Sequence, residues 1–182
     1  MITKIAVVIA FALILAVVAL GCSKGTAAPV SKPTTQSTTV PKSTPTPSGN
    51  TGGIIRPTWI TPQVEGDLVS IPASEADSGK LLHFKVKNQA TTMAFMAYKF
   101  GGEIQVRADI CPPCGSQSYN LVGDILVCNA CGTKFRATTG AGVSGACVNY
   151  PKAEAPYSIA GDSLIISLAD LITAYNDTIK AG

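Results

Sequence analysis

The 182-residue chain has a single histidine, His83, so a site built from several imidazoles is excluded. No acidic side chain occurs before Glu65. The formal charge of +3 falls to +2 without Met1–Gly21, where Lys4 is the one charged residue. A balance this small calls for neither nucleic acid nor an acidic partner. The chain has no phosphate-binding glycine loop, no nucleophile–base–acid set, no nucleic-acid motif and no internal repeat. Glu75, Asp77 and Glu103 have neither the spacing nor the partners for acid–base work. The hydrophobic fraction of 46% overstates the folded core, because the first twenty residues inflate it.

Those residues form an address rather than a fold element. Lys4 is followed by Ile5 to Leu20, a run without charge, proline or glycine that ends at Ala19-Leu20-Gly21-Cys22. A basic start, a short apolar core and a small residue before the break describe a secretory signal. The run is a little short for a membrane-spanning helix, which needs about 20 residues. Gly21-Cys22 resembles the lipobox of bacterial lipoproteins, with Ala19 where that motif usually has Leu. The resemblance implies residues 1–21 as a signal peptide, cleavage before Cys22, and lipidation of its thiol. The alternative is an uncleaved signal anchor with a free Cys22. Either way the rest of the chain is expected at a cell membrane, on its extracytoplasmic face. Residues 22–57 are the expected tether. From Gly25 to Pro57 there are eight Thr, four Ser and six Pro, too little apolar surface to offset ordering entropy. Extended backbone at about 3.1 Å per residue would let it reach roughly 100 Å from the lipid.

Residues 58–182 are expected to fold as one mainly β domain. Leu68–Ile71 is the first strand. In Leu81–Val86, Leu82, Phe84 and Val86 share one face, with His83 and Lys85 on the other. Thr91–Phe100 and Ile104–Ile110 flank Gly101-Gly102, a two-residue turn that accepts positive φ. Tyr119–Val122 and Ile125–Val127 flank Gly123-Asp124, and Tyr157–Ile159 and Leu164–Ile166 flank Gly161-Asp162-Ser163. One helix closes the chain: Ser167 and Asp170 form a capping box, and Leu168, Leu171, Ile172, Tyr175 and Ile179 make one apolar stripe. His83 alternates with core residues, which favours a packed or surface role over a ligand role. Met93 and Met96, three apart on a strand, face opposite sides and serve as core filler rather than a soft metal site. Trp59 is expected at the edge of the domain.

Five of the six cysteines fall in this domain: Cys111, Cys114, Cys128, Cys131 and Cys147. The first four read C-P-P-C-G, then, after Gly115 to Val127, C-N-A-C-G. Paired C-x-x-C turns at this separation are a strong metal signal. Each turn aims two thiolates at one point, and a hairpin between them folds the second turn onto the first. Four converging thiolates suit an iron–sulfur cluster, zinc or a single iron. Disulfides are the alternative in an oxidising compartment. A thioredoxin-like role for C-P-P-C would need a helix after the motif, whereas Gly115–Ser118 and a strand follow.

Asp109-Ile110-Cys111-Pro112-Pro113-Cys114-Gly115, Tyr119, Gly123-Asp124, Cys128-Asn129-Ala130-Cys131-Gly132, Phe135, Thr139-Gly140 and Gly145-Ala146-Cys147 resemble the FtrD-like membrane iron–sulfur domain family. Ile71-Pro72, Lys80, His83-Phe84 and Leu164–Leu168 extend the match over nearly all of Val69 to Leu168. The resemblance implies an iron–sulfur cofactor, with Cys111, Cys114, Cys128 and Cys131 as ligands and Cys147 as a candidate fifth. It implies company with membrane redox or iron-permease proteins. The layout is also similar to a Rieske domain, with cysteines where that family has histidine ligands. The expected fold is therefore a small antiparallel Rieske-like or rubredoxin-like β domain with two metal-binding loops and one C-terminal helix. All-thiolate ligation implies a potential near the plant-type ferredoxin value of about −400 mV. Three roles follow: a one-electron carrier linked to iron uptake, a structural zinc-ribbon binding module, or a metal-delivery lipoprotein. None of them requires an enzyme.

Overall fold

The computed structural model describes residues 53–182. The expected signal segment, Cys22 and the tether as far as residue 52 lie outside the described residues. In chain order the elements are β1 (Ile54–Ile55), β2 (Pro57–Trp59), β3 (Gln63–Glu65), β4 (Leu68–Pro72), α1 (Ala73–Asp77), β5 (Leu81–Asn88), β6 (Thr91–Phe100), β7 (Glu103–Ala108), β8 (Tyr119–Val122), β9 (Ile125–Cys128), β10 (Lys134–Arg136), β11 (Gly142–Ser144), β12 (Ser158–Ala160), β13 (Ser163–Ser167) and α2 (Leu168–Lys180). The fold is mainly β, with its one long helix at the C-terminus. Among the described residues no helix is long and apolar enough to cross a membrane.

A central sheet, ordered β2-β5-β6-β7, is buried on both faces. That explains why β6 reads as a continuous buried run from Met93 to Tyr98 rather than an alternation. In register, Leu82 faces Ala97, Phe84 faces Phe95 and Val86 faces Met93. These side chains join Val69, Ile71, Leu164, Ile166, Leu171 and Ala174 in one core, covered by the sheet β12-β13-β4-β3 and the two helices. The opposite face gives Leu81, Met96 and Tyr98 to a second core with Tyr119, Leu121, Leu126 and Phe135. That core belongs to the sheet β1-β8-β9-β10-β11, and Cys111, Cys128 and Cys147 are part of it. The cysteine loops are thus rooted in packed hydrophobic structure. Met93 and Met96 lie in different cores, as their spacing predicts.

The three expected hairpins form, and Ser167 caps α2 by accepting the Asp170 N–H at 3.0 Å. Six short elements, β1 to β3, α1, β10 and β11, have no counterpart in the sequence pattern. Strands of two or three residues are too short for alternation to register. They form because sheet edges accept them: Ile54 and Ile55 pair with Val122 and Leu121, and Pro57–Trp59 runs parallel to Leu81–His83. Ile54, Ile55 and Pro57, which composition places in the tether, therefore sit in the sheets, and β2–β5 is a parallel exception to the expected antiparallel arrangement. The strand expected to end at Ile110 ends at Ala108. Just beyond it the Asp109 N–H still donates to the Ala94 carbonyl of β6 at 2.9 Å, whereas the Ile110 carbonyl turns away to accept the Lys152 ammonium.

Candidate metal centre

The two C-x-x-C-G segments fold into the same turn twice. The Cys111 carbonyl accepts the Gly115 N–H at 2.8 Å, and the Cys128 carbonyl accepts that of Gly132 at 3.0 Å. Each leading cysteine donates its own N–H five residues ahead, Cys111 to Ser116 at 2.8 Å and Cys128 to Thr133 at 2.9 Å. Gly115 and Gly132 close these turns at φ of 70° and 71°, a conformation that a Cβ disfavours. The β8–β9 hairpin carries the second turn back onto the first and sets Tyr119 opposite Cys128. The Asn129 N–H then donates to the Ser118 carbonyl at 3.0 Å, and its side-chain amide to the Ser118 hydroxyl at 2.7 Å.

Cys147 arrives from a third segment, the loop that follows β11 on the β10 edge. Its N–H donates to Thr133 Oγ1 at 3.2 Å. The loop passes so close that a Cβ on Gly145 would meet Thr133 Oγ1 at 2.7 Å.

All five sulfurs converge. Cys111 and Cys131 are 3.9 Å apart, Cys114 and Cys128 3.8 Å, and Cys131 and Cys147 3.7 Å. The sulfurs of Cys111, Cys114, Cys131 and Cys147 all lie within 4.8 Å of one another, and Cys128 joins them through Cys114. None is disulfide-bonded, since that bond brings sulfurs to about 2.05 Å. A tetrahedron of thiolates about 2.3 Å from a metal has edges of about 3.8 Å, and three of the sulfur pairs stand at 3.7–3.9 Å. The donor set therefore fits a thiolate-ligated metal, with one sulfur more than a single shell needs. Cys111, Cys128 and Cys147 are buried, whereas Cys114 and Cys131 are exposed.

The surroundings divide these thiols. Burial pushes the Cys111 thiol far above its ordinary range, the neighbouring thiols Cys147, Cys114 and Cys128 add to this, and Lys152 opposes it. Burial also raises Cys128, against hydrogen bonds from backbone N–H groups. At Cys131 desolvation acts upward too, but the Thr133 hydroxyl and N–H, with Cys128 and Cys114, outweigh it and bring the thiol down to about 6. Cys131 Sγ and Thr133 Oγ1 are 3.2 Å apart.

Three further groups complete the site. The Tyr119 hydroxyl is buried and has no hydrogen-bond partner. Burial, and then the neighbouring Cys111 and Cys128, hold it protonated well above the usual phenol range, so it keeps its proton beside the cysteines. Lys152 is fully buried, and its Nζ donates to the Ile110 carbonyl at 2.5 Å. His83, also fully buried, sits with Nδ1 2.6 Å from Asp109 Oδ2 and its ring 5.2 Å from that of Trp59, which stays half-exposed at the domain edge. His83 is a packed, carboxylate-paired residue on strand β5. Nothing in the sequence marks Lys152 or Thr133 as site residues. A lone lysine in Tyr150-Pro151-Lys152-Ala153 reads as solvated surface, and threonine is unremarkable on a strand border.

A family model described as "Membrane iron-sulfur containing protein FtrD-like" matches residues 76–177. No curated protein sequence matches the chain. Among solved structures, it is similar to a chain in a complex of reduced oxygenase and oxidized ferredoxin in carbazole 1,9a-dioxygenase, with 18% identity over 57% of this chain and 95% of that one at a TM-score of 0.46. A Sphingomonas yanoikuyae B1 ferredoxin is similar with 21% identity, over 53% of this chain and 92% of that one, at a TM-score of 0.43.

Proposed function

The chain belongs to the FtrD-like family of membrane iron–sulfur proteins, and from that premise we propose that it is a one-electron carrier tethered to the extracytoplasmic face of a cell membrane by a lipid on Cys22. Its domain binds an iron–sulfur centre and serves electron transfer. One observation carries the functional reading: four sulfurs lie within 4.8 Å of one another and a fifth, Cys128, meets them through Cys114, three of the five buried and two at the surface. A buried root holds a centre rigidly, and an exposed edge lets an electron pass to a docked partner without any substrate pocket.

Cys111, Cys114, Cys128 and Cys131 are the thiolates that the paired turns supply, and Cys147 adds a fifth. Bound there, the group supplies one-electron chemistry. The chain's own residues do the rest. The glycine-closed turns fix the sulfurs, the second core keeps water from Cys111 and Cys128, and Thr133 ties the third loop to the second turn. The partners proposed are membrane redox or iron-permease proteins, with electrons serving iron uptake. What supports this is the family description for the membrane, and the Lys4-to-Cys22 pattern for the anchor.

Absorbance, electron paramagnetic resonance, and iron and sulfide content on anaerobically purified protein test the carrier role. A colourless, zinc-containing, redox-silent product overturns it. Mass spectrometry of the mature N-terminus tests the anchor, and an unmodified Met1 ends that part. Iron accumulation by cells carrying Cys131→Ser in place of the native chain tests the link to uptake, and accumulation equal to that with the native chain removes it.

A further inference from the structure

Lys152 is an ammonium group in a hydrophobic core, and it takes part in none of the five ion pairs among the described residues. Its Nζ has one oxygen partner, the carbonyl of Ile110, the residue before Cys111. It also stands 4.5 Å from the centre of the Phe135 ring and 5.5 Å from that of Tyr119, both faces of the second core. Taking such a group out of water is costly unless a counter-charge compensates it. An apolar side chain of similar volume would fill the same space without that cost. The acidic groups that bear on Lys152 are Cys111, Cys128, Asp109 and Cys147. Asp109 turns Oδ2 to His83 at 2.6 Å, and its unpartnered Oδ1 forms no ion pair with Lys152. The cysteines, anionic once they bind metal, are what remains.

The placement of Lys152 is also built. Its N–H donates to the Gly140 carbonyl at 2.8 Å, and its carbonyl accepts Arg107 Nη1 at 3.0 Å. Gly140, at φ 71°, leaves no room for a Cβ, which would collide with the Lys152 carbonyl. Arg107 is itself buried and held by Gln105, Thr138 and Glu154. A buried polar network on β7 thus holds one backbone position, and that position carries the ammonium.

We propose that Lys152 is the resident counter-cation of the thiolate centre, a positioning residue that sets the centre's reduction potential and metal affinity through its fixed charge. The thiol set is neutral when protonated, becomes anionic when it binds metal, and gains one more negative charge on reduction. A fixed cation beside it favours each of those steps. The redox consequence rests on the electron-carrier reading above, but the metal-affinity consequence does not.

The test uses the full chain with Lys152→Met, which keeps volume and removes charge, and Lys152→Arg, which keeps charge. In Lys152→Met the reduction equilibrium is expected to move at least tenfold against the reduced state, about 59 mV more negative for one electron. Its zinc affinity in the metal-free form is expected to fall at least tenfold at neutral pH, without loss of thermal stability. Lys152→Arg stays near the native chain. An unchanged potential and zinc affinity in folded Lys152→Met overturns the proposal. If Lys152→Met fails to assemble the centre while Lys152→Arg assembles it, the charge is required and the proposal stands. If neither variant folds, the side chain is packing and the proposal falls. A native chain that holds only redox-silent zinc removes the carrier reading, and the zinc affinities alone then decide the role of Lys152.

Discussion

Thr133 Oγ1 lies 3.2 Å from the Cys131 sulfur. The same oxygen accepts the Cys147 N–H at 3.2 Å, so one hydroxyl links the second cysteine turn to the third loop. As a thiol, Cys131 donates to this oxygen. Once ionised, it accepts from the hydroxyl, and that exchange favours the thiolate.

Metal-free protein is therefore expected to react with iodoacetamide first at Cys131, with half-maximal rate near pH 6. Thr133→Val removes the donor and shifts that midpoint upward. It also leaves the Cys147 N–H unpaired in a buried site, at a cost of about 1–3 kcal/mol. Labelling followed by peptide mass mapping checks the first effect, and urea denaturation checks the second. An unmoved labelling midpoint contradicts the assigned hydrogen bond.

Gly145→Ala is expected to damage the site more than a glycine change elsewhere. Gly145 has φ of 113°, and a Cβ there would meet the Thr133 Cα and Oγ1 at 2.7 Å. Gly66, at φ 58°, faces open space, so Gly66→Ala carries only the backbone penalty of about 1 kcal/mol. Gly145→Ala adds a steric clash, for a total of about 2–4 kcal/mol. Urea midpoints of the two variants, with metal content alongside, give the comparison.

Tyr119→Phe removes a buried hydroxyl that has no hydrogen-bond partner in the metal-free site and is free to donate to a sulfur of the bound centre. Hydrogen bonds to cluster sulfurs are among the terms that set iron–sulfur potentials. The potential should fall while stability stays within about 0.5 kcal/mol or rises. Spectroelectrochemical titration with parallel thermal melts tests this. An unchanged potential shows that the hydroxyl does not reach sulfur.

Burial, opposed by the thiolates and Asp109, pulls Lys152 down to about 8. The sign follows from proton counts. Below pH 8 the lysine is charged in both folded and unfolded chains, and the folded state bears the full desolvation cost. Between about 8 and 10.4 the unfolded chain holds more protons, so this group's contribution to stability rises with pH. Metal-free Lys152→Met lacks the term. Its stability advantage over the native chain should be largest below pH 8, on the order of 3 kcal/mol, and shrink toward pH 10. Urea denaturation of both metal-free proteins, with the cysteines alkylated in each, from below pH 8 to about pH 10 checks the trend.

His83→Ala leaves the Asp109 carboxylate buried beside an empty volume. Removing one partner of a buried pair typically costs about 3–5 kcal/mol. The spectrum of the loaded centre should not change, because His83 contacts Asp109 and Trp59 rather than sulfur. A spectral change would make His83 part of the ligand environment.

Much of the architecture is legible in local pattern. Gly101-Gly102 and Gly123-Asp124 announce tight hairpins because each needs positive φ. Ser167 and Asp170 announce the start of α2 because a capping box is a local bond set. Leu82, Phe84 and Val86 announce the inward face of β5. In contrast β1, β2, β3 and α1 are held by edges and cores made elsewhere, so their own residues carry little signal. The run Met93 to Tyr98 hides its alternation because both of its faces are buried.

The sequence by itself determined that paired cysteine turns would close on a common centre, since C-x-x-C-G spacing and a hairpin of fixed length bring the thiols together through short-range geometry. Tertiary structure alone decided what surrounds them. The burial of Cys111 beside exposed Cys131, the approach of Cys147 through Gly145, and the placement of the Lys152 ammonium against two aromatic rings join residues far apart in the chain. Such contacts depend on how whole sheets pack, and a thiol's protonation and a centre's potential answer to that packing rather than to sequence neighbours.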